Sequence, residues 1–132
     1  MNNWIPKAIS IPNGLFHLNL SGDEKWGCIF VSEKCGEILD CSPINFLEKL
    51  QAVSILSLAE MPEKTVGMLL EKMKRTRESC SFVGVIEEQN NKVKYLRGTL
   101  GASPSADGRL RVYGHIIDLT EMKEMQEELA SK

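Results

Sequence analysis

The sequence has few of the residues that build metal sites, because its 132 residues include two histidines and four cysteines. The cysteines are Cys28, Cys35, Cys41 and Cys80, and no two of them form a Cys-x-x-Cys pair. Zinc sites need closely spaced sets of such ligands, so we expect no metal. The cysteines are predicted to be reduced thiols of a cytoplasmic protein.

The sequence also lacks an excess of charge of one sign and any long apolar run. Sixteen basic and eighteen acidic residues give a formal net charge of −2, which does not attract nucleic-acid phosphates. No stretch approaches the roughly 20 apolar residues of a membrane span, and the N-terminus lacks the pattern of a signal peptide. We therefore predict a cytoplasmic segment with no nucleic-acid partner and no membrane insertion. A basic cluster is interpreted as the solvated side of a helix: Lys72, Lys74, Arg75 and Arg77.

The composition is that of an ordinary globular domain, with 42% hydrophobic and 26% charged residues. A chain of this size buries roughly two thirds of its unfolded surface, which is enough for one hydrophobic core. Pro6 and Pro12 interrupt the first residues. Residues 1–13 are therefore predicted to be a leader that packs outside the core.

The next segment predicts a pair of antiparallel strands. After Gly14, apolar residues alternate with polar ones up to a turn: Phe16, Leu18 and Leu20. The β-rich run 26–31 follows after a connection of hairpin length. Alternation of this kind is typical of strands with one buried face, and a short connection makes neighbouring strands antiparallel.

Three helices are predicted to follow these strands. Ser32 has a hydroxyl that can cap the first helix, which should end near Leu39. Ser42 followed by Pro43 marks the start of the second. Pro62 is expected in the first turn of the third and longest helix. That helix has apolar residues at helical spacing: Val66, Leu69, Leu70 and Met73.

After Glu78 the period of the sequence changes from helical to β. The runs 81–87, 92–102 and 109–119 are separated by turn residues, which predicts three antiparallel strands in a meander. The run from Asp118 to Glu121 matches a capping box and should begin an exiting helix. The whole order predicts an α+β domain with a five-stranded antiparallel sheet, helices on one face and a C-terminal exiting helix.

Several segments in this order resemble the PAS family of bacterial sensor kinases and cyclases, over about residues 14–129. The run 31–39 is similar to the family's passage from strand to helix. The run 61–64, Met-Pro-Glu-Lys, stands where such domains often carry His-Pro-Glu-Asp. The strongest similarity is the closing strand, whose final Asp118-Leu119-Thr120 resembles the family's Asp-Ile-Thr signature.

The resemblance implies a sensory module of a larger protein, such as a histidine kinase or diguanylate cyclase, with no catalytic residue of its own. It places the PAS domain at residues 14–120 and a linker or coiled-coil helix at 121–132. Haem-binding relatives use a histidine on the long helix, and flavin-binding relatives use a cysteine in the helix at 43–51. The sequence has neither, so we expect no cofactor. The resemblance assigns signal relay to the junction and the exiting helix: Asp118, Thr120, Met122, Met125 and Leu129.

The sequence leaves the ligand and the role of the exiting helix open. A small apolar or aromatic ligand could bind between the helices and the sheet, or the same side chains could simply fill the core. The exiting helix has apolar residues at coiled-coil spacing, which would suit a homodimer and a following output domain, or it folds back on the sheet. The candidate pocket residues are Leu39, Phe46, Leu47, Leu50, Leu69 and Met73.

Two other functions compete with the sensory one. The chain could be a purely structural domain that dimerises its host and senses nothing. It could also be a small cone-shaped α+β enzyme of the isomerase type, which needs a carboxylate paired with histidine or tyrosine in an apolar cavity. Asp40 and Glu87 are the candidate acids, although neither has such a partner evident in the sequence. His17 and His115 lie on predicted strands and are interpreted as hydrogen-bonded or surface side chains.

Overall fold

A computed structural model describes residues 13–56, 62–87 and 91–120, together with Met122 and Gln126. The predicted leader therefore lies outside the described residues, except for Asn13, which already belongs to the first strand. The elements in chain order are β1 (Asn13–Leu20), β2 (Trp26–Val31), α1 (Glu33–Leu39), a 3-10 helix (Pro43–Asn45), α2 (Phe46–Gln51), β3 (Ser54–Ile55), α3 (Val66–Thr76), β4 (Cys80–Glu87), β5 (Val93–Pro104) and β6 (Leu110–Asp118).

The strands form one sheet in the order β2-β1-β6-β5-β4-β3, and every neighbouring pair is antiparallel. This confirms the predicted hairpin, the meander and the α+β class. The sequence predicted five strands, whereas the sheet has six. The additional strand is β3, whose two residues pair with Val85 and Gly84 of β4. Two residues are too short to show an alternating pattern in the sequence.

The core lies between one face of the sheet and the helices. In β1 and β6 every second side chain is buried, so the helices cover a single face of the sheet. Burial of alternate residues is what the pleat of a strand imposes when one face is packed. The core side chains of these two strands are Phe16, Leu18, Leu20, Leu110, Val112 and Ile116.

Two phenyl rings lie over glycines on the inner face of the sheet. A methyl group placed on Gly114 would overlap the ring of Phe16, and one placed on Gly98 would overlap the ring of Phe82. Phe16 in turn packs against Phe46 of α2, with ring centroids 5.1 Å apart. The glycines thus make room for aromatic rings that fill the space between the sheet and the helices.

The predicted start of the third helix was wrong. Pro62 precedes α3, which begins at Val66 and is capped by Thr65, whose hydroxyl accepts a hydrogen bond from Met68 N at 3.3 Å. The residues before the helix are instead extended, since Ile55 N donates to Lys64 O at 2.9 Å. Pairing with the segment at β3 therefore delays the helix by one turn.

The predicted cap of the first helix was also wrong in its chemistry. Ser32 occupies the N-cap position of α1, but its side chain makes no capping bond. The hydroxyl accepts instead from Leu15 N, at 3.0 Å. Ser32 therefore ties the start of α1 to β1, and the long-range partner is one that a local sequence motif cannot reveal.

Within the described part of the chain, no helix combines the length and the apolar character needed to cross a membrane.

Candidate functional site

The chain leaves the sheet through a junction that is fixed to β5. Leu119 N donates a hydrogen bond to the carbonyl of Tyr95 at 2.8 Å, and Tyr95 N donates to Thr120 Oγ1 at 2.9 Å. Asp118 Oδ1 accepts from Thr120 N at 2.9 Å. Both backbone groups of one β5 residue are thereby bonded to the segment where the chain leaves β6.

The structure brings two of the predicted relay residues together, since the Asp118 carboxylate orients the residue whose hydroxyl contacts Tyr95. Met122 follows and is 43% exposed. Met125 and Leu129 lie outside the described residues, as does the Glu121 half of the predicted capping box. Sequence analysis missed Tyr95, because the contact uses only its backbone.

The start of β5 is also bonded to the helices. Lys94, next to Tyr95, is partly buried and donates from Nζ to the carbonyl of Ile38 at 2.8 Å. Ile38 lies in the last turn of α1, where a cation is favoured by the free carbonyls. Two adjacent residues of β5 thus contact the helical layer on one side and the exit junction on the other. The sequence carries no local signal for the Lys94 contact, since its partner lies 56 residues away.

Most of the candidate pocket residues belong to the packed core. Leu39, Phe46, Leu50, Leu69 and Met73 are buried, and Leu47 packs against the same cluster while partly exposed. Of the six, Leu39 also lines an open cleft of about 430 Å³ at the β4 side of the sheet. The other residues around this cleft are Lys49, Ala52, Val53, Ser54, Val85, Ile86 and Glu87.

His17 is held on the open face of the sheet by an aromatic contact. Its ring stacks on Tyr113 with centroids 4.2 Å apart and an angle of 19° between the planes. Burial lowers the pKa of His17 below its ordinary value of 6.5, and the nearby Arg111 guanidinium lowers it further. The folded chain therefore favours the neutral imidazole. His115 lies on β6 as predicted and is partly buried.

This pKa shift predicts a loss of stability in acid. The unfolded chain takes up a proton as the pH falls below 6.5, whereas the folded chain resists protonation of His17. Urea unfolding between about pH 8 and about pH 5 should show stability falling toward the acidic end, and His17→Gln should flatten that part of the profile. His115→Gln is the control: it keeps His17, so its stability should still fall toward acidic pH. An unchanged profile in His17→Gln would contradict this role.

The cysteines do not have the environment of reactive thiols, although Cys28 is exposed. Burial raises the pKa of all four thiols. Cys35 is buried, and its Sγ lies 3.4 Å from the carbonyl of Leu15, to which it donates. A raised pKa lowers the thiolate fraction on which oxidation depends. Among the described residues, no group of histidines, cysteines and carboxylates is arranged to hold a metal ion.

The basic cluster is only in part the solvated helix side that the sequence indicated, because Lys72 and Lys74 are partly buried whereas Arg75 and Arg77 are exposed. Lys74 Nζ lies 2.7 Å from Glu71 Oε2 and donates to the carbonyl of Glu24 at 2.7 Å. Arg77 Nη1 donates to the carbonyl of Gly108 at 3.0 Å. These contacts anchor the end of α3 to two hairpin turns.

The candidate catalytic acids lie at the surface. Asp40 is exposed and ends α1 in a left-handed conformation, with φ 52°. Glu87 is exposed at the end of β4, on the rim of the open cleft. A general base of the expected isomerase type needs an enclosed apolar cavity to tune its pKa. Neither site provides that enclosure.

Comparison with known proteins rests on structure alone. No family model and no curated protein matches the sequence. Among solved structures, the chain resembles a domain of a histidine kinase from Haloarcula marismortui that is described as light and redox sensing, with a TM-score of 0.61 and 13% identity. The match covers 86% of this chain and 95% of that one. The chain has the fold of a PAS domain.

Two further structures show the same PAS fold. One is a sensory box histidine kinase/response regulator from Burkholderia thailandensis, with a TM-score of 0.51, 13% identity, and coverage of 91% of this chain and 86% of that chain. The other is an RNA-binding light-oxygen-voltage receptor, with a TM-score of 0.53 and 16% identity. That match covers 91% of this chain and 34% of the receptor chain. Identities this low establish the fold and leave the function to be argued from the site.

Proposed function

We propose that this PAS domain is a sensory module that relays its state through the Asp118–Thr120 junction to an output domain and carries out no reaction itself. The observation that carries the proposal is the pair of hydrogen bonds between the junction and the backbone of Tyr95. Because the exit of the chain is bonded to a neighbouring strand, a shift of β5 changes the direction in which the chain leaves the sheet.

The contact of Lys94 with Ile38 supplies the other end of this path. A change in the helical layer would move the start of β5 and, through Tyr95, the Thr120 hydroxyl. Such a relay needs two states that differ by a few kcal/mol, so that a modest stimulus can shift their populations. Hydrogen bonds of this kind are individually worth about 1 kcal/mol, which suits a switch that must reverse.

The names of the similar structures support this proposal, since two of them are sensing histidine kinases and the third is a light-oxygen-voltage receptor. We propose a histidine kinase or a diguanylate cyclase as the host and the cytoplasm as its compartment. The exposed positions of Asp40 and Glu87 do not favour the alternative of an isomerase-type enzyme.

The proposal predicts that Asp118→Ala uncouples the output of the full-length protein while leaving the domain folded. Loss of the bond to Thr120 N should cost about 1 kcal/mol of stability. It should nevertheless reduce the signal-dependent change in kinase or cyclase activity by at least about fivefold, the factor that corresponds to a coupling energy of about 1 kcal/mol. Activity with and without the stimulus, together with thermal unfolding, is the measurement.

Asp107→Ala is the matched control, because its Oδ1 accepts from Arg109 N at 3.1 Å in the turn at the opposite end of β6. It makes the same chemical change and should leave the relay intact. Unaltered signalling in Asp118→Ala, or equal loss in both variants, would refute the role of the junction.

The stimulus itself is proposed to be a small apolar or aromatic ligand, bound without haem or flavin. The candidate pocket side chains already form the core, so a ligand would have to displace part of it, most simply a phenyl ring. Native mass spectrometry of freshly purified protein tests this point. A retained small molecule supports the ligand, and a bare chain under conditions that preserve the fold counts against it.

A further inference from the structure

Among the residues that the structure describes, no further strand pairs with the edge of the sheet formed by β2. β2 is the outermost strand, and its sequence contains neither a charged residue nor a proline: Trp26, Gly27, Cys28, Ile29, Phe30 and Val31. Cys28, Ile29 and Phe30 are exposed, with Ile29 at 52% and Phe30 at 53%. An edge strand presents unpaired N–H and C=O groups, and proteins commonly guard it with lysine, proline or a covering segment.

The opposite edge is built differently. β3 has only two residues, and one of them, Ser54, also forms a bridge with Thr65. Over the described residues, β3 therefore offers a shorter template for pairing than β2 does. Among the described residues of β2, the one protective feature is the shift in register between His17 and Leu18 of β1. The two edges therefore differ in their capacity to accept another strand.

An apolar surface on the open face is continuous with the β2 edge. Phe30 stands opposite His17 on β1, which stands opposite Tyr113 on β6. Leu15 lies two residues from His17 on the same face of β1. Leu15 and Tyr113 are each 53% exposed. The exposed strand is thus flanked by exposed apolar side chains, which is typical of an interaction surface.

We propose that β2 pairs antiparallel with β2 of a second copy, so that the two sheets form one continuous sheet across a two-fold axis. A two-fold interface brings the same surface of both copies together, which suits an uncharged strand because it meets no like charge. Antiparallel strands related in this way can exchange backbone hydrogen bonds on either side of the register shift at Ile29.

Charge favours this arrangement over a face-to-face dimer. Arg97 on β5 and Arg111 on β6 lie on the open face. Arg97 pairs with Ile117, and Arg111 pairs with Ser103. Stacking two open faces would bring the arginines of both copies together in a desolvated contact, where like charges repel. Pairing through β2 keeps both arginines at least two strands from the axis.

The size of the edge predicts a weak, reversible dimer. A six-residue strand with its neighbouring side chains buries less than the roughly 800 Å² per partner of a standard interface. The dimer should therefore form in a concentration-dependent way. This inference goes beyond the proposed function, because its test reads oligomeric state alone and does not depend on the outcome with Asp118→Ala.

Sedimentation equilibrium of the whole chain over a range of concentrations is the test. Ile29→Lys adds a charge to the exposed edge, and both copies bring that charge to the two-fold interface. It should therefore raise the dimer dissociation constant by at least about 100-fold. Ile44→Lys makes the same change at a side chain that is 93% exposed in the 3-10 helix, and should change the constant by less than about threefold. Circular dichroism verifies that both variants are folded.

Two additional measurements decide between the edge and other surfaces. Hydrogen exchange should show amides of β2 becoming protected as the dimer forms. Tyr113→Lys changes the open face away from the edge and should weaken the dimer much less than Ile29→Lys. A chain that stays monomeric at every concentration, or a dimer that is sensitive to Tyr113→Lys but not to Ile29→Lys, would overturn the proposal.

Discussion

Gly114→Ala is expected to lower the free energy of unfolding by about 3 kcal/mol, the upper end of the usual cost of overpacking. The added methyl group would overlap the ring of Phe16, which is buried and packs on Phe46. The ring cannot move outward without displacing α2. Chemical denaturation at neutral pH measures the loss directly.

Gly101→Ala provides the control for this experiment, because Gly101 lies on β5 where a methyl group would approach only the carbonyl of Tyr113, at 3.4 Å. Its effect should stay within about 0.5 kcal/mol. Combining Gly114→Ala with Phe16→Leu should recover part of the loss, since the smaller side chain relieves the overlap. A Gly114→Ala protein as stable as the parent would show that the ring is free to leave its place over the sheet.

Phe46→Ala is expected to cost about 3–5 kcal/mol, the range found when a buried phenyl ring is removed. Phe46 is fully buried in α2 and contacts Phe16 across the core. The neighbouring Ile44→Ala removes a side chain that is 93% exposed and should change stability by less than about 0.5 kcal/mol. Equilibrium unfolding of both variants compares a core and a surface truncation two residues apart.

The same variant bears on the ligand question. Removing the ring leaves an apolar space that, in other proteins, can take up a molecule such as benzene. If the parent chain has no free space, benzene should stabilise Phe46→Ala and leave the parent unaffected. Stabilisation of the parent would instead show that the interior already accommodates a ligand. A cost below about 1 kcal/mol for Phe46→Ala would contradict the central position of this ring.

The strands were predictable where one face is packed and the other exposed. β1 alternates buried and exposed side chains, and the apolar residues of α3 repeat at helical spacing. These patterns record which side of an element meets the core, so the sequence contains them directly. The β5–β6 turn was equally predictable, because the sequence has a glycine there. In the structure this residue, Gly108, has φ 80°, a conformation that few other residues adopt.

The predictions that were wrong concern residues whose structure depends on a contact outside the local sequence motif. Ser32 has the residue type of a helix cap, but its hydroxyl oxygen accepts a hydrogen bond from Leu15 N instead of from the helix. Pro62 has the residue type of a first helical turn, but pairing at Ser54–Ile55 keeps the following residues extended. In both cases a local preference worth about 1 kcal/mol was outweighed by a contact with a residue outside the local motif.

The candidate site was half predictable for the same reason. Asp118 and Thr120 form a local motif, and the sequence placed them at the end of the last strand as the structure does. The role of Tyr95 arises from backbone groups that any residue would supply, and from the order β6-β5 that brings it beside the exit. The role of Lys94 arises from its side chain, but its partner Ile38 lies 56 residues away.

By itself, the sequence determined the order of the elements apart from β3, the buried faces of β1 and α3, and the bond of Asp118 within the exit motif. Periodicity and short-range hydrogen bonding depend on neighbouring residues, which the sequence contains directly. Only the tertiary structure decided that the phenyl rings of Phe16 and Phe82 fill the space over the sheet, that the exit is bonded to Tyr95 and that β2 is an edge among the described strands. Each of these depends on which strands become neighbours, and that choice is made by the free energy of the whole core rather than by any one segment.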